Sequence, residues 1–329
     1  HRDLPSFPTR RSSDLMGKRD EILSLFPDRL KGRMKPVLED VEHLNEIRLG
    51  VNCPCRIIRE GCEYFLSQDG TCLTQGNNAW LTSDQEIESI VNQMCSYSLY
   101  AFENELRQGF LTVQGGHRIG FAGKVILNTD GSVRNFSCIR FVNIRISHEI
   151  LGLADSVLPY LFQQGELWNT LIISPPRCRK TTLPRDLIRQ VSDGTDMRQG
   201  QQVSVVDERS EIAGSYQGIP QNQVGIRTDV LDACPKTEGM MLLVRSMTPQ
   251  VIAVDEIGSK EDLAALQRIA VCGTGMLATM HGYSLKDVED KLGKSKSLFG
   301  RFLLLTFKDR KRSVRIYDGE KHLLQETAL

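Results

Sequence analysis

A lysine and two threonines follow an apolar segment and a short loop, in an order that could bind phosphate. Residues 171–183 read Leu-Ile-Ile-Ser-Pro-Pro-Arg-Cys-Arg-Lys-Thr-Thr-Leu. Strand, tight loop and helix start in this order are typical of a P-loop, in which backbone N–H groups surround phosphates. Lys180 would reach the β- and γ-phosphates, and Thr181 would hold Mg²⁺. The segment predicts a site for ATP and Mg²⁺ formed by Ser174, Pro175, Pro176, Arg177, Cys178, Arg179, Lys180, Thr181 and Thr182.

The loop nevertheless lacks the glycines that such loops normally carry. Ser174 stands at the first glycine position, Arg179 directly precedes Lys180, and Arg177 lies two residues before that. Glycine is suited to these positions because the backbone must approach phosphate closely and can need a positive φ. The loop composition therefore leaves open whether this chain binds or hydrolyses ATP.

A second acidic motif follows about 75 residues later. The stretch Val251-Ile-Ala-Val-Asp-Glu256 reads as an apolar strand ending in two carboxylates. Asp255 would hold Mg²⁺ together with Thr181, and Glu256 would orient the attacking water, as phosphoryl transfer requires. A buried strand with two solvated carboxylates is the alternative. The spacing of the two motifs in an alternating strand–helix pattern favours a nucleotide site, because parallel strands converge at one edge.

A third acidic stretch, residues 203–211, reads Val-Ser-Val-Val-Asp-Glu-Arg-Ser-Glu. We expect Asp207 beside Mg²⁺, and Glu208 and Glu211 near the γ-phosphate. The alternative is a polar helix start in which Asp or Ser caps the backbone. The sequence leaves open whether Glu256 or Glu208 activates water.

Three further residues are weaker candidates for the same site. Arg227 lies in a polar loop and could reach a phosphate across a subunit boundary. Arg245 lies in an apolar helical stretch, where a structural ion pair is an equal alternative. His281 ends the strand 275–281 and could sense the γ-phosphate, although a lone histidine at a strand end is more often structural.

The pattern of apolar residues predicts two domains. Residues 16–150 read as a small α+β domain, with helices over 17–45 and 84–106 and with strands over 46–50, 109–127 and 139–146. Residues 151–329 begin with a helix over 152–169. Strands and helices then alternate, as in a mainly parallel sheet with crossover helices. The expected elements are 171–174, 180–191, 202–207, 236–247, 251–255, 260–271, 275–280, 284–292 and a hairpin of 302–307 with 314–317.

Charge and composition narrow the function classes. The chain has 41 basic and 41 acidic residues, so its net charge gives no support for nucleic acid or an anionic membrane as partner. No apolar run reaches the length of a transmembrane helix. Nine scattered cysteines favour reduced thiols in a cytoplasmic protein. The basic turn 308–313 keeps single-stranded nucleic acid binding as an alternative, without an aromatic stacking run to support it.

The first 15 residues, His-Arg-Asp-Leu-Pro-Ser-Phe-Pro-Thr-Arg-Arg-Ser-Ser-Asp-Leu, show no apolar period. They resemble translated sequencing-adapter read-through, and a natural disordered tail is the alternative. We expect the protein proper to begin at Met16.

Together these motifs resemble the stage III sporulation protein AA family of endospore-forming Firmicutes, over residues 16–325. The similarity is strongest in 172–176 with Lys180-Thr-Thr, and in the acidic stretches 207–214 and 247–258. Ala278-Thr-Met-His-Gly282, Glu46-Ile-Arg-Leu and the glycine-rich segment 115–123 extend it to the rest of the chain.

The resemblance implies a RecA-like ATPase related to the ring-forming ATPases of type II and type IV secretion. It implies a hexameric ring in the mother-cell cytoplasm that hydrolyses Mg·ATP to ADP and phosphate. The ring would power or organise a channel to the forespore, made with membrane proteins of the same operon. By resemblance, Lys180 and Thr181 form the P-loop, and Asp255 and Glu256 the second acidic motif. Asp207, Glu208 and Glu211 correspond to the acidic box of the secretion ATPases. His281 corresponds to their histidine-bearing strand. Arg227 and Arg245 are the candidates for trans-acting arginines.

The chain departs from the family at the phosphate loop. The family loop reads Ser-Pro-Pro-Gly-Cys-Gly-Lys-Thr-Thr-Leu-Leu, so Arg177 and Arg179 replace glycines and Pro184 replaces leucine. We expect Arg179 to fill phosphate space, and Pro184 to disturb the following helix by roughly 3 kcal/mol. Three explanations of these replacements are open: a sequencing error, a decayed copy, or a structural ring subunit that hydrolyses no ATP.

Overall fold

The computed structural model describes residues 12–95, 102–175, 178, 180–196, 198–308 and 311–329. Within these residues no helix is long and apolar enough to cross a membrane. The chain divides into two compact units between His148 and Glu149. The predicted site residues Pro176, Arg177 and Arg179 lie outside the described residues.

The first unit is an antiparallel sheet with helices. Its described helices are α1 Ser12–Ser24, α2 Asp28–Met34, α3 Asp84–Met94 and α4 Glu103–Arg107. Its described strands are β1 Leu44–Gly50, β2 Arg56–Arg59, β3 Cys62–Leu66, β4 Cys72–Leu73, β5 Phe110–Thr112, β6 Arg118–Leu127 and β7 Val133–Arg145. They pair antiparallel in the order β4-β3-β2-β1-β7-β6-β5.

Helix α3 shows how the sequence sets this unit. Ser83 caps it, accepting from the Glu86 N–H while the Glu86 side chain accepts from the Ser83 N–H. The predicted apolar face is confirmed, since its members are all buried in the core of the unit: Ile87, Ile90, Val91 and Met94. Their spacing of three and four residues gives a helix one continuous apolar stripe.

The long helices predicted over 17–45 and 84–106 differ from the structure. The first is divided into α1, α2 and a 3₁₀ turn Val37–Asp40, with Pro27 and Pro36 directly before the second and third pieces. Proline has no N–H and clashes with the preceding turn, so it favours the start of a helix over its interior. The second is present as α3 and α4, and residues 96–101 between them lie outside the described part.

The second unit alternates strands and helices. Its described helices are α5 Thr182–Asp193, α6 Lys236–Ser246, α7 Lys260–Val271 and α8 Leu285–Leu292. The described strands up to the middle of the unit are β8 Phe162–Gln163, β9 Glu166–Leu167, β10 Thr170–Ser174, β11 Gly194–Thr195, β12 Arg198–Gln199 and β13 Val203–Asp207. They are followed by β14 Thr228–Asp232, β15 Val251–Val254, β16 Gly275–His281, β17 Arg301–Lys308, β18 Lys311–Asp318 and β19 Leu323–Ala328.

Eight of the described strands form one sheet in the order β14-β13-β15-β16-β10-β17-β18-β19. The pairs from β14 to β17 are parallel, and β18 and β19 are added antiparallel. Strands β10, β13 and β15 are buried along their whole length, and apolar clusters cover both faces of the sheet. Continuous apolar strands are expected where a parallel sheet is covered on both faces. The carboxyl ends of these strands therefore share one edge.

The helix predicted over 152–169 is wrong. The structure has turns there, a 3₁₀ turn Leu158–Leu161 and the small hairpin of β8 and β9. Gly152, Gln164 and Gly165 have φ values of 78°, 52° and 91°. Left-handed backbone of this kind interrupts a right-handed helix, so the apolar residues Val157, Leu158 and Leu161 reach the core from turns.

Pro184 lies in the first turn of α5, so the expected destabilisation of this helix by Pro184 is wrong. Helix α5 begins at Thr182, and its first intrahelical bond runs from the Arg185 N–H to the Thr181 carbonyl at 3.1 Å. Pro184 is thus the third helical residue, where the N–H has no intrahelical acceptor anyway. The missing donor costs the helix no hydrogen bond.

We expect Pro184→Leu to change the free energy of unfolding by less than about 1 kcal/mol, because no helical hydrogen bond is gained. The contrast is Arg189→Pro relative to Arg189→Ala in the middle of α5, where we expect a loss of about 3 kcal/mol or more. Urea unfolding followed by circular dichroism measures both. An effect at Pro184 as large as that contrast would contradict its first-turn position.

Candidate functional site

The centre of the site is an ion pair between Lys180 and the second acidic motif. Lys180 follows β10, and Asp255 and Glu256 follow β15, two strands away in the parallel sheet. Lys180 Nζ lies 3.2 Å from Glu256 Oε2 and 3.9 Å from Asp255 Oδ2. The structure therefore brings together three side chains that lie 75 residues apart in the sequence.

Asp255 is held by a residue that the sequence motifs did not indicate. The carboxylate is 8% exposed, and Thr279 on the neighbouring strand β16 donates its hydroxyl to Asp255 Oδ1. Burial raises the pKa of Asp255, against the opposing effects of the Thr279 hydrogen bond and of Lys180. A threonine within the apolar strand 275–281 was the available signal, but its partner depends on the strand order.

Glu256 has an unusual backbone. Its φ is +54°, in the left-handed region that residues with a Cβ rarely adopt. Its N–H donates to Thr279 Oγ1 at 2.8 Å, and Arg209 Nη1 lies 3.4 Å from Glu256 Oε2. Burial acts to raise the pKa of Glu256, but Lys180, Arg209 and Lys236 outweigh it, so the pKa lies below its ordinary value. The side chain is therefore held as a carboxylate.

Asp207 differs from the predicted metal ligand. It is 1% exposed, and its two oxygens accept the N–H groups of Glu211 and Ala213, each at 2.8 Å. Both oxygens thus organise the turn after β13 instead of pointing freely into the site. Burial raises the pKa of Asp207 to about 6, although these backbone donors oppose the rise and Asp232 adds to it. Asp207 therefore acts as the sequence alternative proposed, with its side chain capping the backbone of a polar segment.

The two glutamates after Asp207 are placed by basic residues outside the predicted set. Lys236 Nζ lies 3.0 Å from Glu208 Oε2. Arg185, in α5, donates to the carbonyls of Ile212 and Glu211 at 2.5 and 2.7 Å. The acidic turn is therefore fastened to the helix that follows the phosphate loop. The Glu211 charge also acts on Asp255, raising its pKa further.

The three weaker candidates occupy different places. Arg227 Nη1 donates to the Ser192 carbonyl at 3.0 Å, at the carboxyl end of α5, and so stabilises a helix terminus within its own chain. Arg245 is exposed in the last turn of α6, so it does not need the buried ion pair considered for it. His281 ends β16 opposite Ser174 of β10, beside the start of the phosphate loop. Of the three, His281 lies on the strand edge that carries the site.

The described part of the phosphate loop is consistent with a helix N-terminus that faces a ligand. Ser174 is buried and donates to the Pro175 carbonyl at 2.9 Å. Cys178 is also buried, and burial raises the pKa of its thiol. Thr181 precedes the helix without a side-chain capping bond, and Thr182 is the first helical residue. The uncapped N–H groups of such a terminus favour an anion.

The residues present fit Mg·ATP in kind. The described residues contain no group of three or more His, Cys, Asp or Glu that could hold a metal ion by themselves. Mg²⁺ in phosphate-transfer sites usually takes one or two protein oxygens, with phosphate oxygens and water completing its shell. The Asp255 carboxylate and the Thr181 hydroxyl are suitable oxygens, and Lys180 supplies the positive charge.

Two solved structures share the fold of this chain. The Legionella pneumophila ATPase DotB matches with a TM-score of 0.53 at 15% identity, over 96% of this chain and 84% of that one. The pilus retraction motor PilT with bound ADP matches with a TM-score of 0.57 at 14% identity, over 86% and 81%. The second unit thus has a RecA-like fold, preceded in the chain by the smaller antiparallel unit.

The chain belongs to the sporulation stage III, protein AA family, whose model matches residues 16–324. Stage III sporulation protein AA of Bacillus subtilis (strain 168) is 39% identical over 314 residues, covering 94% of this chain and 98% of that protein. The uncharacterized protein ycf45 of Porphyra purpurea is 29% identical over 163 residues, 49% of this chain and 26% of that protein. The chain is therefore an ATPase-like sporulation protein.

The raised pKa of Asp207 gives a testable pH dependence. The unfolded chain keeps a value near 3.9, so folding favours the protonated carboxyl. This contribution is complete below about pH 4 and is lost as the pH rises through about 6. We expect the unfolding free energy of the parent, relative to Asp207→Asn, to fall by about 2–3 kcal/mol between pH 4 and pH 8. Urea titrations across this range measure it.

Asp207→Asn also loses an acceptor for one backbone N–H, which lowers its stability by an amount that does not depend on pH. Only the change of the difference with pH therefore reports the carboxyl. A difference that stays flat or rises with pH would show that the backbone donors at Glu211 and Ala213 outweigh burial.

Proposed function

We propose that this chain is a secretion-type ATPase of sporulation that binds Mg·ATP between the loop after β10 and the acidic ends of β13 and β15. The observation that carries the proposal is the contact of Lys180 with Asp255 and Glu256 beside the N-terminus of α5. A lysine, a threonine and two carboxylates at the carboxyl edge of a parallel sheet are the groups that phosphoryl transfer needs.

Each residue has a role in this proposal. Lys180 exchanges its contact with Glu256 for the β- and γ-phosphates, which frees the carboxylate. Thr181 and Asp255 would hold Mg²⁺, which would supply positive charge to the phosphate oxygens. Glu256 then accepts a hydrogen bond from the attacking water and orients it in line with the γ-phosphate. An ordinary glutamate pKa lies well below neutral pH, and Arg209 and Lys236 still oppose the effect of burial on Glu256 after Lys180 has left, so Glu256 can accept that bond at neutral pH.

Family membership supports the cellular setting of the proposal. The Bacillus subtilis relative carries a sporulation name, and the structural relatives are an ATPase and a pilus retraction motor. We infer a homo-oligomeric ring, a hexamer, in the mother-cell cytoplasm, docked on membrane proteins of the same operon. Turnover would drive movements within the ring that power or organise a channel to the forespore. In that ring Arg227 and Arg245 are the candidates for contact with a neighbouring subunit's nucleotide.

The phosphate loop is the degenerate part of the proposed site. Arg177 and Arg179 stand where the family loop has glycines. An arginine beside Lys180 adds a bulky side chain where backbone N–H groups should approach phosphate. Its charge could pair with phosphate, but a residue with a Cβ adopts positive φ far less readily than glycine does. We therefore expect this loop to weaken nucleotide binding in the chain as it stands.

The first test measures Mg·ATP binding and hydrolysis by the full chain, by Arg177→Gly/Arg179→Gly and by Pro184→Leu. We expect the double variant to hydrolyse ATP at least about tenfold faster than the parent, because close backbone contact with phosphate is restored. Pro184→Leu is the matched control and should behave as the parent, since its position costs no hydrogen bond. Lys180→Ala in the double variant should abolish binding.

Equal turnover by the parent and the double variant would show that the arginines are tolerated and the loop is functional. Absence of both binding and hydrolysis in every version would overturn the ATPase proposal. It would support the second candidate, a structural ring subunit, which the two loop arginines favour. Salt-dependent binding to single-stranded nucleic acid would instead support the alternative that the chain is a nucleic-acid-binding protein.

A second test separates the two glutamates that could activate water. Glu256→Gln should lower kcat by about a hundredfold or more with ATP binding retained, because a positioned base contributes this much. Glu208→Gln should have the smaller effect, since Glu208 is paired with Lys236 at 3.0 Å. Steady-state kinetics and fluorescent nucleotide binding on the more active loop form measure both. A larger loss in Glu208→Gln would reverse the assignment.

A further inference from the structure

Lys236 connects the two acidic segments of the site. It is the first residue of α6, and its side chain is 17% exposed. Its ammonium donates to the main-chain carbonyl of Glu256 at 2.9 Å and lies 3.0 Å from Glu208 Oε2. One cation therefore joins the segment after β15 to the segment after β13, and these two strands are neighbours in the sheet.

The carbonyl that Lys236 binds belongs to the residue with the unusual backbone. Glu256 has φ +54°, and left-handed backbone at a residue with a Cβ persists only where surrounding contacts hold it. Its N–H is bound to Thr279 Oγ1 at 2.8 Å, and its carbonyl is bound to Lys236. Both polar backbone groups of Glu256 are thus fixed by side chains, so these two contacts hold the main chain from which its carboxylate extends toward Lys180 and Arg209.

The residue after Lys236 extends the connection. Thr237 Oγ1 donates to Asp262 Oδ1 at 3.1 Å, while Asp262 Oδ2 accepts the N–H groups of Gly258 and Ser259 at 3.1 and 3.0 Å. The start of α6 therefore holds the chain from Glu256 to the start of α7. This arrangement fixes the segment that leaves the second acidic motif.

The contact with Glu208 has a different consequence. Glu208 is a candidate base for the attacking water, but its carboxylate is paired with Lys236. Glu256 lies instead with Lys180 and Arg209, the first of which is expected to move to phosphate. Nucleotide binding would then release Glu256 from Lys180 and leave Glu208 paired.

We propose that Lys236 is a positioning residue for ATP hydrolysis. It fixes the backbone of Glu256 and keeps Glu208 paired, so that the attacking water donates its hydrogen bond to Glu256. The inference rests on the proposed ATPase function. It adds a role for a lysine outside the phosphate loop and the acidic motifs. The role is exerted through Glu256 and Glu208, without contact to the reacting phosphate.

The test uses Lys236→Met, which keeps the length of the side chain and removes its charge, in the loop form that hydrolyses ATP fastest. Lys236→Arg is the conservative variant. Lys260→Met is the matched control, because Lys260 is also the first residue of a neighbouring helix and is exposed. We expect Lys236→Met to lower kcat about tenfold or more while the Kd for ATP changes by less than about threefold. Lys236→Arg should recover part of kcat.

A second measurement does not depend on turnover. Without nucleotide, amide hydrogen exchange at residues 256–259 should be faster in Lys236→Met than in the parent, because the carbonyl of Glu256 loses its donor. Exchange in the first unit and the melting temperature of Lys260→Met serve as references. Unchanged exchange at 256–259 would contradict the backbone role of Lys236.

The outcomes separate this inference from the proposed function. Turnover in the parent loop form with an unchanged kcat in Lys236→Met overturns the role of Lys236 and leaves the ATPase intact. A rise in Kd and a fall in melting temperature without a separate loss of kcat shows a merely structural lysine, which also overturns it. Absence of turnover and nucleotide binding in every loop form overturns the ATPase, and the positioning role with it.

Discussion

The parallel pairing of β10, β13, β15 and β16 is the constraint on which the site depends. Parallel strands end at the same edge, so side chains that directly follow them meet although they are far apart in the sequence. Lys180, Asp207, Asp255 and His281 all come from that edge. In antiparallel pairing neighbouring strands would end at opposite edges, so Asp207 and His281, at the ends of β13 and β16, would lie away from Lys180 and Asp255. The long apolar strands that permit this pairing are buried on both faces.

Charge balance is the second organising feature of the edge. The carboxylates of Glu208, Asp255 and Glu256 lie among Lys180, Arg209 and Lys236, and each of these contacts joins opposite charges. Partly buried carboxylates without such partners would be costly to keep ionised. The partner of Glu256, Lys180, is also the residue expected to bind phosphate. Ligand binding would therefore redistribute these ion pairs, which links occupancy of the site to the position of Glu256.

The departures from the family loop have unequal consequences. Pro184 lies in the first turn of α5, where proline is accommodated, because that turn has free N–H groups in any helix. Arg177 and Arg179 replace the glycines of the family loop, and in the proposed site their effect would fall on the approach of backbone N–H groups to phosphate. Arg185 lies directly after Pro184 and fastens the acidic turn through two backbone carbonyls. The helix that follows the loop thus keeps its connections to the rest of the site.

The sequence by itself determined the apolar strands of the second unit, the helix faces, and the family to which the chain belongs, because these depend on local periodicity and motif order. It also indicated Lys180, Asp255 and Glu256. It missed the edge strands β14 and β19, whose residues are half-buried or exposed, and the turns over 152–169, where left-handed residues interrupt a helix-like pattern. Only the tertiary structure decided that Thr279, Lys236 and Arg185 serve the site and that Asp207 holds a turn. The partners of Thr279, Lys236 and Arg185 lie 20 or more residues away, so no local pattern could specify them. Asp207 binds N–H groups only four and six residues further along the chain, and here the structure chose between two alternatives that the sequence had left open.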